Sequence, residues 1–179
     1  MERNNRFTFA FYFLALQRVL GSPRLFFIEL PVVDMGFEKP VGFLLVSSLF
    51  YTGASLTHLH GRPWLGAAIL LFNALAMPFI TAAAGFVVMT LTMGRQVTFE
   101  RLFAVYAFSS GVVLLASWIP LLVFVTEPWK WALVGVGMVK GCGFRWTQAV
   151  LVITLSVLIV VLFFWSLGPL ISSLKGAGA

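Results

Sequence analysis

The sequence predicts an all-α membrane protein, a bundle of five transmembrane helices preceded by N-terminal interfacial amphipathic helices. Three observations predict it. Of the 179 residues, 60% are hydrophobic and 10% charged, against roughly 45 to 50% and 25% in soluble proteins. Uncharged runs recur at lengths near the ~20 residues that a helix needs to cross a hydrocarbon core of about 30 Å. The basic residues lie between those runs and form no consecutive patch, so the net charge of +6 is read as a set of topology determinants and nucleic acid is excluded as a partner.

Residues 1–39 form the expected N-terminal interfacial segment. The run "FTFAFYFLAL" behind Arg3 and Arg6 imitates a signal peptide, but the following "QRVLGSPR" lacks a small-residue cleavage site, and the segment is expected to remain in the chain. Arg18, Arg24 and Glu29 interrupt its apolar clusters, and each charge at membrane depth costs about 2.5 to 3.5 kcal/mol on insertion scales. Two interfacial helices broken at Gly21, Ser22 and Pro23 fit that pattern, with Phe26 and Phe27 turned inward and the arginines toward headgroups. A sixth span over Phe7 to Leu16 is the rival reading.

The transmembrane domain is expected over 40–172, with a short tail at 173–179. The first span runs from Val41 to Leu56, followed by "THLHGRP". The next apolar run, Trp64 to Met93, would be about 45 Å long as one helix. That is too short for two spans, so a single tilted or kinked helix with Pro78 near its middle is predicted. The third span follows Glu100 and Arg101 and ends at Pro120, the fourth lies within Leu121 to Val139, and the fifth covers Ala149 to Trp165. Trp146 and Trp165 bracket that last helix about 28 Å apart, which matches the hydrocarbon thickness.

Five spans put Arg3, Arg6, Arg18, Arg24, Lys39, Arg95, Arg101, Lys140 and Arg145 on one face, and Arg62, Lys175 and Lys130 on the other. The excess of positive charge predicts a cytoplasmic N-terminus and a C-terminus on the opposite side. The single cysteine, Cys142, leaves no internal disulfide to form.

Several short stretches together resemble the Yip family of membrane proteins, named for interaction with Ypt/Rab GTPases, and specifically its bacterial branch. They are "VLGSPRLFF" (19–27), "VTFERLFAVYAFSS" (97–110), "WIP" (118–120) and "WALVGVGMVKGCGFRWTQA" (131–149), in the family's order over roughly residues 17–165. The resemblance implies five helices, a cytosolic N-terminus, a bacterial inner-membrane location and a non-enzymatic role in recruiting or organising membrane partners or lipids. The polar N-terminal domain and Asp-Leu-Trp-Gly-Pro type motif of the eukaryotic branch have no counterpart in residues 1–40, so GTPase binding is not carried over.

No nucleophile elbow, zinc-protease helix or phosphate loop is present, and no catalytic residue, cofactor or metal site is predicted. His58 and His60 have no further ligands nearby and are read as a polar loop. The candidate partner or cavity residues are Asn73, Pro78, Glu127 and Lys130, and those of the interfacial segment are Arg18, Pro23, Arg24, Phe26 and Phe27. Asn73 is the amide deepest in an apolar run, on one helix face with Thr81 and Ala84 beside the Pro78 break. In "TEPWKW" a turn on the outer face is expected, with a helix starting near Pro128, which makes Glu127 and Lys130 a wet interfacial pair; the rival reading, one continuous helix, makes them a pair at membrane depth, as in a small transporter or channel for a lipid, ion or metabolite. The small residues "TAAAG" (81–85), Ser109 to Gly111, and Gly137 with Gly141 are expected to pack helices of this bundle, with a homo-oligomer as the lesser use. The expected partners are therefore the lipid bilayer and a protein partner or second copy.

Overall fold

The computed structural model describes residues 7–30, 36–58 and 63–176, with side chains described except at 58 and beyond 166. Among the described residues, seven α-helices follow one another: α1 (Phe9–Gly21), α2 (Pro23–Glu29), α3 (Glu38–Ser55), α4 (Pro63–Met93), α5 (Phe99–Ser117), α6 (Val123–Gly141) and α7 (Trp146–Gly176). Single 3-10 turns at Leu56–His58 and Pro120–Leu122 continue α3 and lead into α6.

Local chemistry sets most boundaries. Thr8 caps α1 by accepting a hydrogen bond from the Phe11 amide at 3.2 Å, and Thr98 caps α5 through the Arg101 amide at 3.4 Å. Pro23 opens α2 directly after Ser22 leaves the helical region, so the break falls where Gly21, Ser22 and Pro23 predict it. Gly94 (φ 73°) and Gly143 (φ 75°) supply the left-handed residues that end α4 and α6.

Among the described residues, four segments are long and apolar enough to cross a bilayer: Pro63–Met93, Phe99–Ser117, Pro120–Gly141 and Trp146–Ser166. α4 is one uninterrupted helix despite Pro78. α3 has 18 residues and is less apolar, with Glu38 and Lys39 in its first turn and Ser47, Ser48, Thr52 and Ser55 buried. α1 has 13 residues, about 20 Å, which is short of a bilayer core and speaks against the sixth span. α7 runs on to Gly176, past the boundary expected at 172.

The expected helix start near Pro128 is corrected by the structure. α6 begins five residues earlier, at Val123, and holds Pro128 inside it. The reason is the apolar run before the proline: Leu121, Phe124 and Val125 face outward, and in lipid their backbone groups need internal partners that a helix provides and an open turn does not. Pro128 has no donor to offer the Phe124 carbonyl one turn back.

α5 is the central element. Every residue from Leu102 to Val113 is buried, and the helix packs against α1, α3, α4 and α6. Close approach is permitted by small residues. A Cβ on Gly137 of α6 would stand 2.5 Å from the Val105 side chain and 3.2 Å from the Phe27 ring, and one on Gly111 of α5 would stand 2.7 Å from Phe43 of α3. Phe27 is thereby seated on α6, while Phe26, Phe11 and Phe43 surround Phe108 with ring centroids 5.1, 6.2 and 5.0 Å away. Arg18 and Glu29, 2.8 Å apart and both exposed, join the two N-terminal helices. Many apolar side chains on the outside, such as Leu91, Leu121, Phe124 and Trp165, lie largely exposed, as a lipid-facing surface requires.

This packing predicts opposite outcomes for two glycines. Gly137→Ala drives a methyl group into Val105 and Phe27 and should destabilise the protein by about 1 to 3 kcal/mol. Gly53→Ala, where nothing lies within 4 Å, should be neutral or stabilising by up to about 1 kcal/mol. Thermal unfolding in detergent should therefore lower the midpoint for the first substitution alone.

Candidate functional site

One face of α5 carries Tyr106, Ser110, Val113, Leu114 and Ser117, and one face of α6 carries Val123, Glu127, Lys130, Trp131 and Val134. Both sets follow the i, i+4, i+7, i+8, i+11 spacing of a helical stripe, about 16 Å long. The two helices approach each other at one end of these stripes, where the Ser117 and Thr126 hydroxyls lie 3.3 Å apart. Between them and α4, α7 and Tyr51 of α3 lies a partly open hollow of about 460 Å³. α7 contributes Val157, Val160 and Val161, starting one turn past Ile153, which with Trp146 packs on Gly135 of α6.

α4 contributes Asn73, Ala74, Met77, Pro78 and Thr81. Pro78 has no N–H to offer the Ala74 carbonyl, so the helix is weakest in hydrogen bonds where it borders the hollow. Thr81 donates to the Met77 carbonyl at 2.8 Å, within reach of the Pro78 carbonyl at 3.2 Å. Backbone irregularity of this kind is tolerated at membrane depth where protein or a water-filled cavity covers it.

The Lys130 ammonium donates to the Glu127 carboxylate, and it also lies 5.0 Å from the centroid of the Trp131 ring. The Lys130 side chain is 22% exposed and that of Glu127 48%. Lys130 lies seven residues into α6, about 10 Å along its axis. Glu127 retains free acceptor capacity on the side of the hollow, and the ammonium has two further donors. At the other end, Tyr106 is buried, with its hydroxyl against Gly85 and no hydrogen-bond partner among the described residues, while the nearby Ser156 hydroxyl donates to the Ile153 carbonyl.

The structure thus brings Asn73, Pro78, Glu127 and Lys130 to one hollow, while Ala84 does not line it. Arg18, Pro23, Arg24, Phe26 and Phe27 are elsewhere. Phe26 and Phe27 pack on α5 and α6, Pro23 is half-buried, and Arg18 and Arg24 are exposed. His58 ends a 3-10 turn and His60 lies outside the described residues; among the described residues no three His, Cys, Asp or Glu side chains come together. Sequence reading missed Tyr51, Tyr106, Ser110, Ser117 and Trp131. The α5 hydroxyls at 106, 110 and 117 do fall on one helical face, and that periodicity was the available signal.

Cys142 caps α6 outside the span, on the side of Arg101. Burial pushes its thiol from 9.0 up to about 12, against the opposing pull of the Arg101 charge. The folded state then holds this proton more tightly than the unfolded chain, so the stability it contributes is full below pH 9.0 and is lost as pH rises toward about 12. Alkylation of folded protein between about pH 7 and 10 should stay slow, while a denatured control accelerates as its thiolate forms.

In comparison with known proteins, the sequence matches the family described as Yip1 domain over residues 8–168, most of the chain. No curated protein and no solved structure gives a significant match.

Proposed function

The chain belongs to the Yip1 domain family, and from that membership we propose that it is a non-catalytic, five-span protein of a bacterial inner membrane that organises lipids or recruits protein partners within the bilayer. The observation that carries this reading is the hollow bordered by five helices, α3 to α7, with polar groups set in apolar walls. A bundle serving only as an anchor has no need of Asn73, Glu127 and Lys130 around a partly open hollow, because each is costly at membrane depth. α3 completes the count of five, since its buried serines and Phe43 lie against other helices rather than lipid.

The N-terminal pair α1 and α2 is assigned to the cytoplasmic interface. Its exposed surface bears Arg18, Arg24 and Glu29 together with Phe9, Phe13 and Leu20, as an interfacial segment would, while Tyr12, Phe26 and Phe27 are held by the bundle. The N-terminus and the α4–α5 and α6–α7 connections then share the cytoplasmic side, in accord with their basic residues.

A second reading, a small transporter or channel for a lipid, ion or metabolite, is favoured by the ion pair and by Pro78 at the same hollow. Purification under mild conditions separates the two. Stoichiometric lipid or protein that stays bound supports the organising role, and solute flux through reconstituted vesicles supports transport.

The topology makes a direct prediction. In a Cys142→Ala background, a membrane-impermeant thiol reagent applied outside should label Thr57→Cys and spare Gln96→Cys; the reverse pattern would invert the assignment.

A further inference from the structure

The chemistry of the hollow narrows what it accepts. Its charged groups, Glu127 and Lys130, are opposite in sign and adjacent on one helical stripe, so the wall is neutral overall but locally dipolar. A purely anionic ligand drawn to Lys130 meets the Glu127 carboxylate beside it, and a purely cationic one meets the reverse. A ligand carrying both signs a few atoms apart satisfies both at once: its anionic oxygens accept from the Lys130 ammonium and its own ammonium donates to Glu127. Trp131 beside Lys130, and Ser117 and Asn73 in the same wall, add donors and acceptors around that point.

Around this pair much of the lining is apolar, a valine sleeve of Val113, Val134, Val157, Val160 and Val161, with the Ser110, Thr81 and Tyr106 side chains farther along. At about 460 Å³ the hollow falls within the range of roughly 300 to 1,000 Å³ of small-ligand sites. An ion pair beside a valine sleeve matches a molecule with a zwitterionic head and an apolar tail. Hydrogen bonding narrows the head further. Glu127 is an acceptor, and a primary ammonium offers it three donors where a quaternary one offers none.

We infer that the hollow is a binding site for a primary-ammonium zwitterionic lipid, with a phosphoethanolamine head at Glu127 and Lys130 and one acyl chain along the valine sleeve. This rests on the lipid-organising reading above and specifies its ligand. The same head chemistry exists in water-soluble form, and the valine sleeve commits the site to the version that carries chains.

Native mass spectrometry of delipidated protein, offered equal amounts of diacyl phosphoethanolamine, phosphocholine and phosphoglycerol lipids in detergent, tests the inference. The phosphoethanolamine lipid should be retained preferentially, and glycerophosphoethanolamine, the same head without chains, should not displace it. E127Q and K130Q should each lower retention about tenfold, the worth of one charge-assisted hydrogen bond. Glu127→Asp and Lys130→Arg keep the charges and should retain more lipid than the neutral variants. The headgroup preference of the unaltered protein is read independently of how the variants fold. Retention of phosphoglycerol lipid above the other two, retention without headgroup preference, or displacement by the chainless head overturns the inference while leaving a lipid-binding protein. Retention of no lipid at all overturns both the inference and the lipid half of the functional reading.

Discussion

Between α6 and α5 at Gly137 there is no room for a methyl group, and the rest of the bundle is arranged around that contact. The Val105 side chain and the Phe27 ring occupy the space where a side chain would stand. Because Phe27 belongs to α2, the same contact docks the N-terminal helices, and Phe26 and Phe11 then complete the aromatic cluster on Phe108. Gly111 does the same for α3 by admitting the Phe43 ring. Association of helices in lipid lacks the hydrophobic drive available in water and relies on such close packing. The glycines therefore set the geometry as well as permit it.

Beyond these contacts the bundle is not sealed. α5 and α6 are held at one level by Val105 against Gly137 and near the other by the Ser117 and Thr126 hydroxyls. α7 is held to α6 at Gly135, near its own first turns. The stripes between these anchors border the hollow, and there the chain carries an ion pair, an amide and the helix-interior Pro78. Such groups are tolerated in a span where they meet one another or line a cavity. Their coincidence at one place is why site and architecture are a single feature of this protein.

Much of this was legible in residue order. The 30-residue run behind Pro63 is one helix because no charge or cap interrupts it, and the tryptophan-bounded run after Arg145 is another for the same reason. Asn73, Pro78, Glu127 and Lys130 stand out in the sequence because each is rare in apolar surroundings. The start of α6 was misread because Pro128 carries a strong local preference for a first turn, and the preference was overruled by the need of the preceding apolar residues for backbone partners. The Arg18 and Glu29 pair, eleven positions apart, requires knowing that α1 and α2 fold back on each other. Tyr106 and Ser110 looked like ordinary buried helix residues, and only the three-dimensional arrangement of α4, α6 and α7 gives their face something to line.

The central claim is that one face of α5 borders a partly open hollow while its neighbouring face is packed shut. Ser110 and Ser109 sit on those two faces, the first lining the hollow and the second fully buried. Single cysteines at these positions, in a Cys142→Ala background and in delipidated protein, can be exposed to a small methanethiosulfonate reagent and the modification rates compared. The account predicts that Ser110→Cys reacts at least an order of magnitude faster than Ser109→Cys and is protected when phosphoethanolamine lipid is added. Equal, slow modification of both, in protein that remains folded, would contradict it and show the bundle to be solid throughout.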